Sequence, residues 1–125
     1  MMQKTLLLVA FLLLPVFCWG LEVAEGVVTT AVVERQPVDS LTSVSPQVGQ
    51  VYCYTRIAGA AEGAEVTHVW SWQGREMARV ALPVRSNDWR TWSSKRILPQ
   101  WTGEWTVAVL DETGVELTAV VFSVE

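Results

Sequence analysis

The chain has 125 residues, half of them hydrophobic, and a formal charge of −4 from nine Lys and Arg against thirteen Asp and Glu. A mildly acidic chain lacks the basic footprint of a nucleic-acid binder, and no polybasic run marks a membrane-surface segment. The length suits one small domain rather than several.

The chain begins Met1-Met2-Gln3-Lys4, followed by an apolar run from Leu6 to Phe17 and then Cys18-Trp19-Gly20. One positive charge, an apolar stretch and small residues at Cys18 and Gly20 predict a cleavable signal peptide over residues 1–20. An uncleaved anchor helix is the alternative. It needs about 20 apolar residues, and Pro15, Glu22 and Glu25 count against it. A lipid anchor on Cys18 is disfavoured, because Phe17 and Pro15 stand where a lipobox carries a small residue and usually a leucine. Residues 21–125 then form a single domain, periplasmic or secreted, with no stable membrane insertion once the leader is gone. Cys53 is its lone cysteine, so no intramolecular disulfide forms; Val51 and Tyr52 beside it predict burial.

Short runs rich in Val, Thr, Trp and Tyr follow, punctuated by Gly, Pro, Asp and Ser, and helical periodicity is nearly absent. Strands are predicted near 26–35, 49–57, 65–73, 76–84, 89–97, 104–111 and 115–124. The fold class is all-β, an immunoglobulin-like antiparallel β-sandwich of about seven strands, the count of the constant type. Asp39 is a candidate cap for a short helical turn through Thr42 or Ser43. Gln73-Gly74 marks a tight hairpin and Asp111-Glu112-Thr113-Gly114 a turn closing on glycine.

Six tryptophans lie between His68 and Val109: Trp70, Trp72, Trp89, Trp92, Trp101 and Trp105. Strand alternation puts Val66, His68, Trp70 and Trp72 on one inward face, and Trp105, Val107 and Val109 on another. Trp70, Trp105 and His68 are therefore assigned to the core. On the fifth main strand, Trp89, Thr91, Ser93 and Ile97 share one face, and Arg90, Trp92, Ser94 and Arg96 the other. Two arginines make the second face wet and leave Trp92 exposed between two guanidinium groups. The structural explanation is arginine stacking on the ring. The functional one is a recognition patch, since Trp and Arg dominate binding hot spots.

Several runs resemble a bacterial family known as domain of unknown function 2914. They are Val33-Glu34-Arg35-Gln36-Pro37-Val38-Asp39, Val51-Tyr52-Cys53-Tyr54-Thr55, Val66-Thr67-His68-Val69-Trp70 and Trp89-Arg90-Thr91-Trp92-Ser93-Ser94-Lys95. The last and most specific is Leu98-Pro99-Gln100-Trp101-Thr102-Gly103-Glu104-Trp105-Thr106-Val107. The resemblance implies a compact β-sandwich exported across or tethered to a bacterial membrane. It brings no assigned activity and no catalytic residues. Cys53 departs from an expected aromatic and Val69 from an expected basic residue.

His68 is the lone histidine, so neither a catalytic zinc site with three protein ligands nor a structural one with four is readily assembled. No metal or other cofactor is expected. No nucleophile elbow, phosphate loop, calcium loop or dinucleotide fingerprint is present. The leading reading is a non-catalytic binding module of the bacterial envelope. Its partner would be an envelope protein or cell-wall glycan, engaged by Trp92, Arg90 and Arg96 with Trp89 and Trp101 at the strand ends. Two alternatives are a small envelope enzyme, hydrolytic for instance, using His68, and a structural domain that pairs an exposed edge strand, the first or the last.

Overall fold

The computed structural model describes residues 20–60 and 63–125. The predicted leader and its cut lie outside them, apart from Gly20. Among the described residues there are ten strands and no helix. They are β1 (Glu22–Thr29), β2 (Val32–Val33), β3 (Gln36–Pro37), β4 (Ser43–Val44), β5 (Gln50–Ala58), β6 (Ala64–Trp72), β7 (Arg75–Val84), β8 (Asp88–Arg96), β9 (Gly103–Leu110) and β10 (Glu116–Val124). Seven are long. The other three are two-residue strands: β2 falls within the predicted 26–35 run, and β3 and β4 lie outside every predicted strand, because so short a run shows no alternation.

The long strands form two sheets. One has three strands in the order β1-β5-β8; the other has five, β4-β10-β9-β6-β7; β2 and β3 pair as a separate small hairpin. All long-strand pairings are antiparallel. The inner faces meet in one apolar cluster. Val28, Val51 and Cys53 come from the smaller sheet, and Trp70, Trp105, Val107, Phe122 and Val124 from the larger. A second cluster at the other end joins Ile57, Val66, Val84 and Val109, with Trp89 packed against it. Burying an aromatic core residue is worth roughly 3–5 kcal/mol by the cost of truncating it to alanine. Trp70 and Trp105, both fully buried, anchor the first cluster.

Turn chemistry fixes the registers. Gln73 and Gly74 both have positive φ, 48° and 79°, the two-residue turn whose twist matches flanking antiparallel strands. It sets Trp72 opposite Arg75. In the last hairpin the Asp111 carboxylate accepts from the backbone N–H groups of Thr113 and Val115 and from the Thr113 hydroxyl. The first segment departs from expectation. Its strand ends at Thr29, and Asp39 caps no helical turn. Instead Asp39 accepts from the Thr29 hydroxyl (2.6 Å), the Thr30 N–H (2.9 Å) and the Thr30 hydroxyl (2.7 Å). Burial alone would raise the Asp39 pKa, but these donors outweigh it and hold it below the usual value. The carboxylate thus cinches residues 29–39 into a closed loop carrying the β2–β3 hairpin. After it, the chain bridges back at Leu41 to Val28 and adds β4 parallel to the end of β10.

Candidate functional site

Two polar features stand out against this frame, one enclosed and one open. The enclosed one lies between the apolar clusters. Along β5 the inward residues run Cys53, Thr55, Ile57; along β6 they run Trp70, His68, Val66. The middle position on each strand is polar. Thr55 and His68 are fully buried, and Thr91 and Ser93 of β8 nearly so.

Their hydrogen bonds form one directed chain. Trp70 Nε1–H donates to Ser93 Oγ at 3.0 Å. Ser93 Oγ and His68 Nδ1 are 2.6 Å apart, His68 Nε2 and Thr55 Oγ1 3.2 Å, and Thr55 Oγ1 donates to the Thr91 carbonyl at 2.8 Å. An indole nitrogen donates only, and a carbonyl accepts only. Thr55, having given its one proton to Thr91, must accept from His68 Nε2–H. His68 Nδ1 is then the acceptor for the Ser93 hydroxyl. The imidazole is neutral, in the Nε2–H tautomer, and burial pushes its pKa down to about 4. Although Ser93 and His68 form a hydroxyl–imidazole pair, no carboxylate belongs to the chain and both side chains are enclosed. Trp70, His68 and Trp105 all lie inside, and none borders the open site.

The open feature lies along the free edge of β8, the strand at one margin of the three-stranded sheet. Trp89 comes from the inward face of β8 and Trp92 from the outward face. Both rings are half-buried. The Arg35 guanidinium straddles the edge between them, 5.4 Å from the Trp89 ring and 5.9 Å from the Trp92 ring. Arg35 Nη2 also donates to the Arg90 carbonyl at 3.3 Å. Arg35 sits at the tip of the β2–β3 hairpin, which folds over the outer face of the sheet. There the Tyr54 hydroxyl donates to the Arg35 carbonyl at 3.1 Å. Tyr54 points outward by alternation, yet it is only 1% exposed.

This corrects the sequence reading of Trp92. It is not exposed between the guanidinium groups of its own strand. Its ring stacks on Tyr54 (centroids 6.2 Å apart, planes 19° apart), and the guanidinium beside it belongs to Arg35. The hairpin cover was invisible because it is a contact across 57 positions of sequence.

An open cavity of about 240 Å³ is lined by Arg35, Pro83, Arg85, Trp89, Arg90, Thr91 and Trp92. A smaller hollow beside it, about 210 Å³, is bordered by Arg35, Asp88 and Arg90. Asp88 is held by Arg56 through two contacts of 2.7 Å, and the hydrogen bond from Arg56 keeps its pKa below the usual value. Among the described residues no carboxylate lies within salt-bridge distance of Arg35, Arg85 or Arg90. Three guanidinium groups and two indoles therefore converge in a chain of net negative charge.

Of the residues singled out from sequence, the structure brings Trp89, Arg90 and Trp92 to this cavity. Arg96 and Trp101 do not reach it. Arg96 lies opposite Gln50 at the far end of β8, about 13 Å from Trp92 at the usual rise per residue. Trp101 packs with Trp72 and Trp105, under the Lys95 ammonium 4.9 Å from its ring. Sequence reasoning missed Arg35 and Pro83; Arg85 is visible in the sequence as part of the basic segment beside Trp89 and Trp92, but is not among the candidate site residues. The one signal for Arg35 was its place in the first run resembling the known family.

No curated protein matches this sequence. The family model described as Protein of unknown function (DUF2914) matches residues 63–124. That span holds β6 to β10, with Trp89, Arg90 and Trp92, but not the hairpin that delivers Arg35. Over residues 63–124, the chain belongs to the family of proteins of unknown function DUF2914.

Proposed function

We propose that this protein is a non-catalytic binding module of the bacterial envelope. It engages a protein partner or cell-wall glycan through the Trp/Arg edge of β8. The observation that carries the reading is the convergence of Arg35, Arg85 and Arg90, free of carboxylate partners among the described residues, on a cavity walled by Trp89 and Trp92. Guanidinium groups supply directional donors and indoles supply apolar area, the pairing that dominates binding hot spots. The apolar leader motivates the extracytoplasmic setting. The two facing sheets are read as an immunoglobulin-like sandwich, since the first, second and fifth long strands oppose the other four. In a constant-type domain the fourth strand would join the first, second and fifth; here β7 pairs with β6 instead.

The indole N–H resonances provide the test. Trp89 and Trp92 donate to no acceptor among the described residues, whereas Trp70, Trp72 and Trp105 all do. Titration with solubilised cell-wall fragments or fractionated envelope proteins should shift the Trp89 and Trp92 signals and leave Trp70 and Trp105 in place. The double substitution Arg85→Gln, Arg90→Gln should abolish the shift. Binding that persists in that variant would place the interaction elsewhere.

Two other readings gain less support. An enzyme using His68 would have to expose an imidazole whose two nitrogens are both engaged inside the core. For edge pairing, β4 covers β10 only at Ser123 and Val124 and β1 is an edge strand, but among the described residues neither edge presents a cluster like that of the β8 margin.

A further inference from the structure

The most restrained cation of the cavity, Arg35, comes from the β2–β3 hairpin and not from β8. The geometry points to Arg35 as a preorganised receptor for a carboxylate carried on a sugar ring, with Arg85 and Arg90 as flanking charges. This rests on the proposed binding role and names the chemical class of its ligand.

Three observations converge. First, Arg35 is fixed before any ligand arrives. Two indoles hold its guanidinium and Nη2 is tied to the Arg90 carbonyl. A guanidinium has five N–H donors in a rigid fork, so one tie leaves a planar donor edge available. Immobilised arginine loses less entropy on binding than a free one.

Second, the chain accepts backbone strain to put Arg35 there. Glu34 and Arg35 form the hairpin tip with φ of 50° and 60°. That turn favours Asn-Gly, and left-handed backbone at ordinary residues costs on the order of 1 kcal/mol each. Such strain clusters at ligand clamps.

Third, the walls favour a compact anion over an extended peptide. A peptide strand joining the edge of β8 needs main-chain partners. Arg35 already occupies the Arg90 carbonyl, and the opposite wall presents Pro83, which has no N–H. About 240 Å³ accommodates a single ring with its acid group. Trp89 and Trp92, both lining the cavity, offer that ring apolar contact.

The probe is a short oligomer of glucuronic acid, with the glucose oligomer of equal length as the neutral control. Binding is followed by tryptophan fluorescence and by the two indole N–H signals. The unmodified protein should bind the acidic oligomer saturably and the neutral one at least tenfold more weakly. Arg35→Gly suits the turn and so preserves folding, yet it should weaken binding about tenfold or more, the scale of a charge-assisted hydrogen bond. Arg35→Lys should also bind more weakly, because an ammonium lacks the fork.

Equal affinity for the neutral oligomer, or undiminished affinity in Arg35→Gly, would overturn the assignment. So would poly-glutamate or inorganic phosphate competing as well as the sugar acid, since each would show charge alone to be read. Envelope fractions that still shift Trp89 and Trp92 when glucuronate does not bind would refute this ligand class and leave the binding role standing.

Discussion

Ser93 Oγ and His68 Nδ1 lie 2.6 Å apart in the centre of the protein, with the hydroxyl as donor. The direction follows from the fixed polarity of the two ends of the chain, Trp70 N–H and Thr91 carbonyl. A second proton on His68 would set N–H against O–H at that contact. Ser93 would then have to turn its own proton away while accepting from both Trp70 and His68. The geometry and the burial therefore both favour the neutral ring.

A pH dependence of stability follows. The folded-state pKa of His68 is about 4 against an ordinary 6.5. Between these values the unfolded chain holds a proton that the folded one does not. Stability from this residue is complete above about pH 6.5, falls as pH drops toward 4 and levels off below. At 1.36 kcal/mol per pH unit the loss is on the order of 3 kcal/mol. Asp39 and Asp111, both shifted down from 3.8, lose their contributions at lower pH and leave this window to His68. Urea midpoints from pH 7.5 to 4 should fall in the wild type and flatten in His68→Gln. A flat wild-type profile would contradict the buried relay.

Removing the middle hydroxyl is the sharper perturbation. Ser93→Ala leaves the Trp70 N–H without an acceptor and His68 Nδ1 without a donor. Each orphaned buried group costs about 1–3 kcal/mol, so denaturation should show a loss of roughly 2–6 kcal/mol. Thr55→Val removes both the acceptor of the His68 Nε2–H and the donor to the Thr91 carbonyl, and should also destabilise by at least about 1 kcal/mol, the cost of one orphaned buried group. If Ser93→Ala were within about 0.5 kcal/mol of wild type, as an ordinary surface change is, the relay would have no energetic meaning.

The limits of sequence reading are visible at particular residues. Alternation placed His68, Trp70 and Trp105 on inward faces because a strand's period is two, and Gln73-Gly74 fixed the turn that registers β6 on β7. The same rule put Trp92 on the outward face, which is also true. It could not say that a hairpin from residues 32–37 covers that face. Nor could it find the polar layer, since Thr55 and Ser93 look like ordinary strand residues until β5, β6 and β8 are brought together. Arg35 became legible only once its ring partners, 54 and 57 positions downstream, were in place.

Trp92 bears on stability as well as on recognition. Its ring stacks on Tyr54 under the hairpin, so Trp92→Ala should cost about 1–2 kcal/mol, below the 3–5 of a fully buried aromatic. Tyr54→Phe removes the bond to the Arg35 carbonyl and should cost about 1 kcal/mol. In a double-mutant cycle the two should couple by at least 0.5 kcal/mol. Strict additivity would show the hairpin cover to be loosely held.

Relief of strain at the hairpin tip should be measurable without touching the site. Glu34 is exposed, and asparagine tolerates its backbone conformation better. Glu34→Asn should stabilise the protein by roughly 0.5 kcal/mol and leave ligand affinity unchanged. A destabilised variant would mean that the Glu34 side chain makes a contact of its own.

Cys53 tests the closure of the core from a third direction. It is fully buried among Val28, Val51 and Trp70, and burial pushes its thiol up to about 12. The nucleophile is the thiolate, so in native buffer at pH 8 both access and ionisation oppose modification. Labelling by a thiol reagent should require global opening, and its rate should rise with urea in parallel with the unfolding equilibrium. Cys53→Ser should cost stability without changing any surface property, because a hydroxyl there lacks a partner. Prompt, stoichiometric labelling of the native protein would show that the two sheets part locally, and with them the layer that holds His68.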